Sequence, residues 1–349
     1  MILKTTMATR HVTTLTDLAI ALVLFSCLPL AGTIVFADDN WFLTVGHGGH
    51  RMFSLDGMNW ERHQEWSKPA HNQDDLNVAV NYHGTFFAGG GYFSGRTTAT
   101  RDGENWSDGV VPNSSPIFGY EIMDDVLYAI DLRGQVFKTT DGENWPLVAK
   151  AEMPTKTHWI RATTQGNGLI VGSGDFGPVI AFNPSTEKII VTQMAGQADK
   201  NAGLSRVAFG NGFFVIGGQA GLLAVTDDGV HFRNNEIKPE RGDIQCVVWT
   251  GKEFIATSKE GTYRSTDGNN WEAITGSFPR QIRRVHEWLY GYSWPTNKIS
   301  RSRDGFQWES VPNEKEFQAK SYAFGPLAGG PPPKIPVPSP KTPVPSKEK

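Results

Sequence analysis

One recurring stretch decides how this chain folds, TRDGENW at residues 100–106. Five close copies occur elsewhere: SLDGMNW at 54–60, TTDGENW at 139–145, TDDGVHF at 226–232, STDGNNW at 265–271 and SRDGFQW at 302–308. The shared pattern is Ser or Thr, any residue, Asp-Gly, any residue, a polar residue and an aromatic ring. Successive Asp residues are 46, 39, 87, 39 and 37 positions apart, so one copy is missing from the double interval. Seven units of about 42 residues therefore fill this part of the chain, and such a period predicts a repeat architecture.

Each unit contains four short strands. In the fifth unit, an alternating strand over 204–209 is followed by a Gly-Asn-Gly turn and a second strand over 213–216. A third strand over 222–226 leads into the repeated stretch, and the outer strand begins at Phe232. Short strands with frequent turn signals and no helical period are typical of antiparallel all-β proteins. Four strands in each of seven units predict an all-β, seven-bladed β-propeller.

The missing copy and the two ends of the repeat region fit the same fold. The double interval contains PVIAFNPSTEKIIV at 178–191, which has the pattern of a strand, a turn and a strand without the repeated stretch. The first unit begins at Trp41 with a second-strand pattern, so its innermost strand is missing. The stretch KSYAFG at 320–325 is similar to SRVAFG at 205–210. We therefore expect a C-terminal strand to complete the first blade and close the ring.

The repeated stretch resembles the Asp box, also called the bacterial neuraminidase repeat, of sialidases and many secreted propellers. The usual box has one residue between Asp and Gly, whereas all six copies here have none. This shorter form is similar to a variant in exported bacterial propellers and in photosystem II stability and assembly factors. The resemblance covers residues 41–325. It implies a propeller in which each box joins the two outer strands of a blade, away from the usual ligand site.

The residues of the box are suited to a turn. An Asp carboxylate accepts hydrogen bonds from backbone amides of its own turn, and Gly adopts the positive φ that the turn requires. The Ser or Thr hydroxyl can join this network, and the aromatic ring can pack against the sheet. We therefore predict a structural role for the six box aspartates: Asp56, Asp102, Asp141, Asp228, Asp267 and Asp304.

The composition of the two ends separates them from the propeller. Residues 1–37 have Lys4 and Arg10 before an apolar run that ends in Val-Phe-Ala, which predicts a secretory signal peptide, with an uncleaved anchor as the alternative. The propeller is expected over 38–325. Residues 326–349 contain nine Pro and four Lys and predict a disordered, polyproline-like tail. The chain is accordingly expected to be secreted or periplasmic, with no membrane span after removal of the signal.

Charge and motifs exclude several function classes. Residues 38–325 carry 27 basic and 34 acidic residues, a net charge of −7 that argues against a nucleic-acid partner. The histidines His47, His50, His63 and His71 follow no metal-ligand spacing, and no phosphate-binding loop is present. We therefore expect neither a metal nor a cofactor, and we expect a monomer.

Candidate ligand-binding residues form two groups. The first lies mainly on the connections between second and third strands, which differ between units and place planar rings beside hydrogen-bonding groups, as carbohydrate and peptide sites do: Tyr92, Arg96, Arg133, Asp175, Glu260 and Trp294. The second lies on or beside innermost strands, where guanidinium groups near a central channel could bind a carboxylate: Arg161, Arg206, Gln245 and Arg283. Sialidases use three arginines in this way.

Three functional hypotheses follow. The first is an exported binding or scaffold module for a glycan, a cell-envelope component or a protein. The second is a sialidase-like glycoside hydrolase, or a polysaccharide lyase, that uses the central funnel. The Arg-Ile-Pro motif of sialidases is absent and no Tyr–Glu nucleophile pair can be assigned, so the sequence favours a non-enzymatic role. The third is an assembly factor similar to the photosystem type.

Overall fold

The computed structural model describes residues 39–156, 158–194, 206–233, 238–293, 296–313 and 317–337. These residues form seven four-stranded antiparallel sheets arranged as the blades of a ring. The predicted seven-bladed β-propeller is therefore confirmed. The predicted signal segment lies outside the described residues.

The strands follow each other blade by blade. Blades 1 and 2 contain β1 (Asn40–Gly46), β2 (Arg51–Ser54), β3 (Glu61–Gln64), β4 (Leu76–Tyr82), β5 (Thr85–Gly90), β6 (Arg96–Thr100) and β7 (Trp106–Val110). Blades 3 and 4 contain β8 (Ile117–Met123), β9 (Val126–Asp131), β10 (Gln135–Thr139), β11 (Leu147–Lys150), β12 (Trp159–Gly166), β13 (Leu169–Asp175), β14 (Pro178–Asn183) and β15 (Lys188–Gln193). Blade 5 contains β16 (Arg206–Gly210), β17 (Phe213–Gly217), β18 (Leu223–Thr226) and β19 (Phe232–Arg233).

The remaining strands complete the ring. Blades 6 and 7 contain β20 (Cys246–Trp249), β21 (Phe254–Thr257), β22 (Thr262–Ser265), β23 (Glu272–Ile274), β24 (Gln281–Val285), β25 (Trp288–Ser293), β26 (Lys298–Ser302) and β27 (Glu309–Val311), and β28 (Ala319–Pro326) joins blade 1. The described helices are single 3₁₀ turns at His47–Gly49, Asn72–Asp74, Gln219–Gly221 and Pro239–Arg241. In the part of the chain that is described, no helix is long and apolar enough to cross a membrane.

The ring is closed by its last strand, as the sequence predicted. β28 is the innermost strand of blade 1 and pairs antiparallel with β1, from Asn40 opposite Pro326 to Val45 opposite Ser321. The innermost strand of every blade contacts that of the next, and β28 contacts both β24 and β4. The first and last strands of the propeller therefore pair within one sheet, and this pairing joins the first and last units.

The hydrophobic core lies between neighbouring blades. Between blades 4 and 5, for example, Val171 and Val179 pack with Phe214 and Ile216, and all four are fully buried. Since the inward-facing residues of these strands alternate with residues on the other face of the sheet, each blade presents one apolar surface to each neighbour. Burial of such side chains stabilises the fold by about 1.5–3 kcal/mol each.

Each box turn is closed by its own Asp carboxylate, as at Asp141. One oxygen accepts hydrogen bonds from the Thr139 hydroxyl and from the backbone N–H groups of Glu143 and Asn144, at 2.8–2.9 Å. The other oxygen accepts from the Asn144 side chain at 2.6 Å, and Gly142 has φ of 76°. The same hydroxyl and backbone bonds are made by the carboxylates of Asp56, Asp102, Asp228, Asp267 and Asp304.

These bonds keep the box carboxylates ionised and use their oxygens as acceptors within the turn. Burial alone would raise their pKa, but the surrounding donors outweigh burial and lower the pKa of Asp141 and Asp267 to about 2. The aromatic residue of the box packs into the core beside it. Trp145 is 4% exposed, and its ring N–H donates to the Gly142 carbonyl at 3.1 Å. The turn and the core are therefore fixed together by one short stretch of sequence.

Backbone carbonyls of the box turns also bind the preceding blade. Four side-chain donors reach across to a carbonyl of the next turn: Arg62 to Asp102 at 2.6 Å, Asn167 to Asp227 at 3.1 Å, Asn211 to Thr266 at 3.2 Å and Arg301 to Asp56 at 2.5 Å. The last of these crosses from blade 7 to blade 1, where the ring closes. Because the carboxylate satisfies the amides within the turn, the carbonyls remain available for the neighbouring blade.

The unit without a box keeps both a turn and a link to its neighbour. β14 lies within the predicted stretch 178–191, and β15 begins within it and ends two residues later. In the turn between these strands, the side chain of Asn183 accepts a hydrogen bond from the Thr186 N–H at 3.1 Å. Lys138 of blade 3 forms an ion pair with Glu187 of this turn at 2.6 Å. A salt bridge thus connects blades 3 and 4 at the same end of the sheets where hydrogen bonds connect the four pairs of blades described above.

The Pro-rich segment after β28 runs along the outside of blade 2. The Gly329 N–H donates to the Arg101 carbonyl, beside the box turn, at 2.8 Å. The Val110 N–H, at the other end of β7, donates to the Pro336 carbonyl, also at 2.8 Å. The segment therefore crosses from the face that carries the box turns to the opposite face.

Ile335 anchors this segment between blades 2 and 3. Its side chain is 5% exposed and packs in the same buried cluster as Trp145. The prediction of a disordered tail over 326–349 is therefore wrong for residues 326–337, because Pro326 ends β28 and the Ile335 side chain fills a gap between two blades. Residues 338–349 lie outside the described residues.

We predict that Asp102→Ala lowers the free energy of unfolding by about 1–3 kcal/mol, because the backbone N–H groups of Glu104 and Asn105 lose a charged acceptor. Glu104→Ala is the matched control, since its exposed side chain lies in the same turn. The control is expected to change stability by less than about 0.5 kcal/mol. Urea unfolding of both variants measures the difference, and equal losses would contradict the role given to the carboxylate.

We also predict that Ile335→Asp releases the segment that follows β28, because a carboxylate in this apolar cluster has no partner to offset its burial. The Val110 amide should then exchange its hydrogen at least about tenfold faster, as measured by hydrogen–deuterium exchange. Val337→Asp is the control, since Val337 is 74% exposed and only two residues away. Equal exchange at Val110 in wild type and Ile335→Asp would contradict the anchoring role.

Candidate functional site

The two faces of the propeller carry different connections. Because the blades are antiparallel, box turns lie at the same end as the turns between first and second strands. Connections between second and third strands, and between blades, lie at the other end, which we call the loop face. The box carboxylates are occupied within their turns, so the varied side chains of the loop face and of the channel are the candidates for recognition.

A channel of about 400 Å³ lies between the innermost strands of all seven blades. Its wall mixes charged, polar and aromatic side chains. They include Asn77, Glu121, Arg161, Thr163, Arg206, Phe209, Trp249, Arg283 and Tyr322.

Five of the ten sequence-predicted ligand residues come together at this channel. Arg161 donates through Nε to the carboxylate of Asp175, at the end of β13, at 2.8 Å. Arg206 donates through Nε to the backbone carbonyl of Gln245. Burial and the neighbouring charge of Arg283 lower the pKa of Arg206 to about 10. We call these five residues the channel site.

The channel site carries more positive than negative charge. Its three guanidinium groups belong to blades 4, 5 and 7, and the charges of Arg283 and Arg161 both lower the pKa of Arg206. Among the residues of the site, the one carboxylate is Asp175, and it is engaged with Arg161. Like charges held together by a fold repel, and a bound anion relieves that repulsion. The arrangement is therefore suited to a carboxylate, sulfate or phosphate group.

Glu121 adds an acidic group to the same channel. It lies on β8, and the Thr163 hydroxyl of blade 4 donates to its Oε1 at 2.7 Å. Burial raises the pKa of Glu121 to about 7, so much of it is protonated at neutral pH. Sequence reasoning missed this residue, although a single acidic residue in the inner-strand sequence IFGYEIM was a usable signal.

A second cavity, of about 420 Å³, lies on the loop face of blade 2. We call it the rim cavity, and its lining includes Asp74, Tyr92, Phe93, Arg96, Asp108 and Val337. Tyr92 and Phe93 are 57% and 77% exposed and form an edge-to-face pair with ring centres 4.7 Å apart. Exposed aromatic rings beside carboxylates are typical of surfaces that bind sugars or proline-rich peptides.

Arg96 is held by the protein itself. Its guanidinium pairs with Asp74 and lies 3.7 Å from the ring centre of Trp66. The guanidinium of Arg51 also lies near this tryptophan, 5.2 Å from the ring centre. Arg96 therefore shapes the wall of the rim cavity, and Tyr92 offers the more accessible surface.

Residues close together in blade 2 line the two cavities. Asp74 lines the rim cavity and Asn77 lines the channel. Between them, Asp75 pairs with Lys320 of the innermost strand β28. A ligand longer than one sugar or residue could accordingly contact both cavities across this stretch.

The other predicted ligand residues lie apart from the channel site. Arg133 is exposed and lines a separate cavity of about 580 Å³ with Met153 and His158. Glu260 is exposed on the loop face of blade 6, with its carboxylate next to Gly242. Trp294 lies outside the described residues.

Two of the four histidines considered in the sequence lie in contact. His50 Nδ1 and His63 Nε2 are 2.8 Å apart, and Glu65 lies beside them. His47 instead pairs with Asp75 at 2.7 Å, and His71 accepts a hydrogen bond from Gln73 in its own loop.

Comparisons with known proteins support the fold alone. No protein-family model matches the sequence, and no curated protein is detectably similar to it in sequence. Among solved structures, the chain is similar to the computationally designed protein Ika8, at TM-score 0.54 and 11% identity, over 84% of this chain and 92% of that one. It is also similar to Sqt1 of Saccharomyces cerevisiae, at TM-score 0.54 and 10% identity, over 78% and 82%. A chain of a nidogen/laminin complex aligns at TM-score 0.48 and 9% identity, over 83% and 99%.

We predict that Glu121→Gln stabilises the protein at high pH. The folded-state pKa of about 7 lies above the ordinary value of 4.5, so the folded protein binds this proton more tightly than the unfolded chain. Wild-type stability should therefore fall as the pH rises from about 4.5 to about 7, and then level off. Gln mimics the protonated acid, so the variant should gain on the order of 1–3 kcal/mol over wild type at pH 8 and little at pH 4. Urea unfolding at both pH values measures this, and a gain independent of pH would contradict it.

Proposed function

We propose that this chain is an exported binding module whose ligand is an acidic glycan of the cell envelope. The observation that carries the proposal is the channel site, where three arginines from three blades are held close together. Arginine presents paired N–H donors that match a carboxylate, and such charge-assisted bonds are among the strongest polar contacts. The signal-like segment at 1–37 supports export, and the propeller fold is one that commonly serves in binding.

The rim cavity supports a glycan as the class of ligand. Sugars stack on exposed aromatic rings, and Tyr92 and Phe93 offer such rings at the edge of the loop face. Asp74 of the rim cavity and Asn77 of the channel lie only three positions apart in blade 2. In this proposal the arginines bind the acidic group of one sugar while the aromatic pair contacts another part of the chain. The alternative ligand for the same arginines is an acidic segment of a protein partner.

We predict that Arg283→Gln and Arg206→Gln each weaken binding of an acidic glycan by about tenfold or more, because each removes a charged donor. Arg303→Gln is the control, since Arg303 lies on the outer surface and pairs with Glu287. Isothermal titration with oligogalacturonate and sialyllactose, each compared with neutral lactose, measures the effect. Thermal melting of each variant checks that it is folded.

Two results would overturn this proposal. One is binding of lactose as tight as that of sialyllactose, which would remove the role of the acidic group. The other is unchanged binding of both acidic glycans by Arg283→Gln and Arg206→Gln. Binding of an acidic peptide in place of the glycans, lost in the same variants, would move the proposal to a protein partner.

A glycoside hydrolase or lyase is the second candidate, and one observation favours it. A carboxyl group with a pKa near 7 is suited to act as a general acid, and Glu121 lies in the channel with the three arginines. Release of reducing ends from oligogalacturonate, abolished in Glu121→Gln, would favour this candidate. The assembly-factor hypothesis stays a prediction from the resemblance of the repeats.

A further inference from the structure

A cluster of possible metal ligands lies in blade 1, away from the channel site. His50 directly precedes β2, His63 belongs to β3, and Glu65 follows that strand. One donor atom from each of these three residues lies within 4.8 Å of the other two. His50 Nδ1 is 2.8 Å from His63 Nε2, and His50 Nε2 is 3.1 Å from the carboxylate of Glu65. The three donors thus come from one β-hairpin and the residues at its end.

The surroundings fix His50 and leave the other two side chains room to adjust. The His50 ring is 8% exposed and stacks on Phe317 at 5.1 Å, with an angle of 7° between the rings. His63 and Glu65 are half-buried. The second oxygen of Glu65 pairs with Lys68, whose side chain is 85% exposed and can turn into solvent.

We propose that His50, His63 and Glu65 bind a zinc ion, with water as the fourth ligand. Two imidazoles and one carboxylate are donors that Zn²⁺ prefers, and three protein ligands leave one position open. Tetrahedral Zn–N bonds of about 2.0–2.1 Å place two ligand nitrogens roughly 3.3 Å apart, so His63 has to move by only about half an ångström for both rings to bind one ion through His50 Nδ1. The Glu65 carboxylate, which faces Nε2 of the same ring, has to turn toward the Nδ1 side to complete the site. A small molecule or a side chain of a partner can replace the water at this fourth position.

This inference departs from the sequence-based expectation of no metal. That expectation considered four histidines together, and only two of them converge, since His47 and His71 have other partners. The third donor is Glu65, two residues after His63, which the spacing of histidines alone does not indicate. Pairing of β2 with β3 is what places His63 beside His50.

The test uses protein without a histidine tag, treated with a chelator and then dialysed. Isothermal titration with ZnCl₂ should give one site with a Kd of about 1 µM or tighter. CoCl₂ should give the visible absorption of a four-coordinate Co²⁺ ion. His63→Ala and Glu65→Ala should each weaken Zn²⁺ binding by about tenfold or more, since each removes a ligand. His71→Ala, an exposed residue of the following loop, should bind as wild type does.

Buried His50 is left unchanged, because its replacement also removes packing against Phe317. Thermal melting without metal establishes that both ligand variants are folded, and ZnCl₂ should then raise the melting temperature of wild type but not of either variant. The proposal is wrong if wild type takes up no Zn²⁺ at 1 mM ZnCl₂ (about a thousandfold above the expected Kd). It is equally wrong if His63→Ala and Glu65→Ala bind Zn²⁺ as tightly as wild type.

Discussion

The hydrogen bonds of the box turn are the interaction on which the rest of this propeller depends. An Asp carboxylate satisfies the amides of its own turn, and the turn carbonyls then accept donors from the preceding blade, as between Arg301 and Asp56. The aromatic residue of the same stretch fills the space between the sheets. One heptapeptide thus specifies a turn, a core residue and a contact between blades, and its repetition builds a ring.

This division of labour separates stability from recognition. The box carboxylates face one end of the blades and are fully engaged there, whereas the arginines of the channel site lie towards the loop face. Arg206 shows the cost of that arrangement, because burial and neighbouring positive charge both act against its ionised form. The acidic ligand proposed above would offset this cost, because a nearby negative charge favours the ionised guanidinium.

The fold could be predicted from the sequence because its determinants are local. Each hydrogen bond within a box turn joins residues at most three positions apart, and the match of 320–325 to an inner strand revealed the closure. Arg161 and Arg206 could be assigned to the channel from strand position alone. Glu121 and the pair of His50 with His63 could not, because burial and contacts between strands decide their roles. The composition of the C-terminal segment was misleading, since the packing of Ile335 depends on a gap that only the assembled blades create.

The pairing of β1 with β28 also constrains the order of folding. Asn40 and Pro326 lie opposite each other, so β1 can complete its pairing only after β28, the last strand of the propeller, has been synthesised. Contacts of such long sequence separation form late, because closing the intervening loop costs entropy. Until then, one edge of β1 has unpaired backbone groups, which can pair with strands of other chains. Chaperoning during synthesis would therefore matter most for the first blade, whose sheet needs the last strand of the propeller.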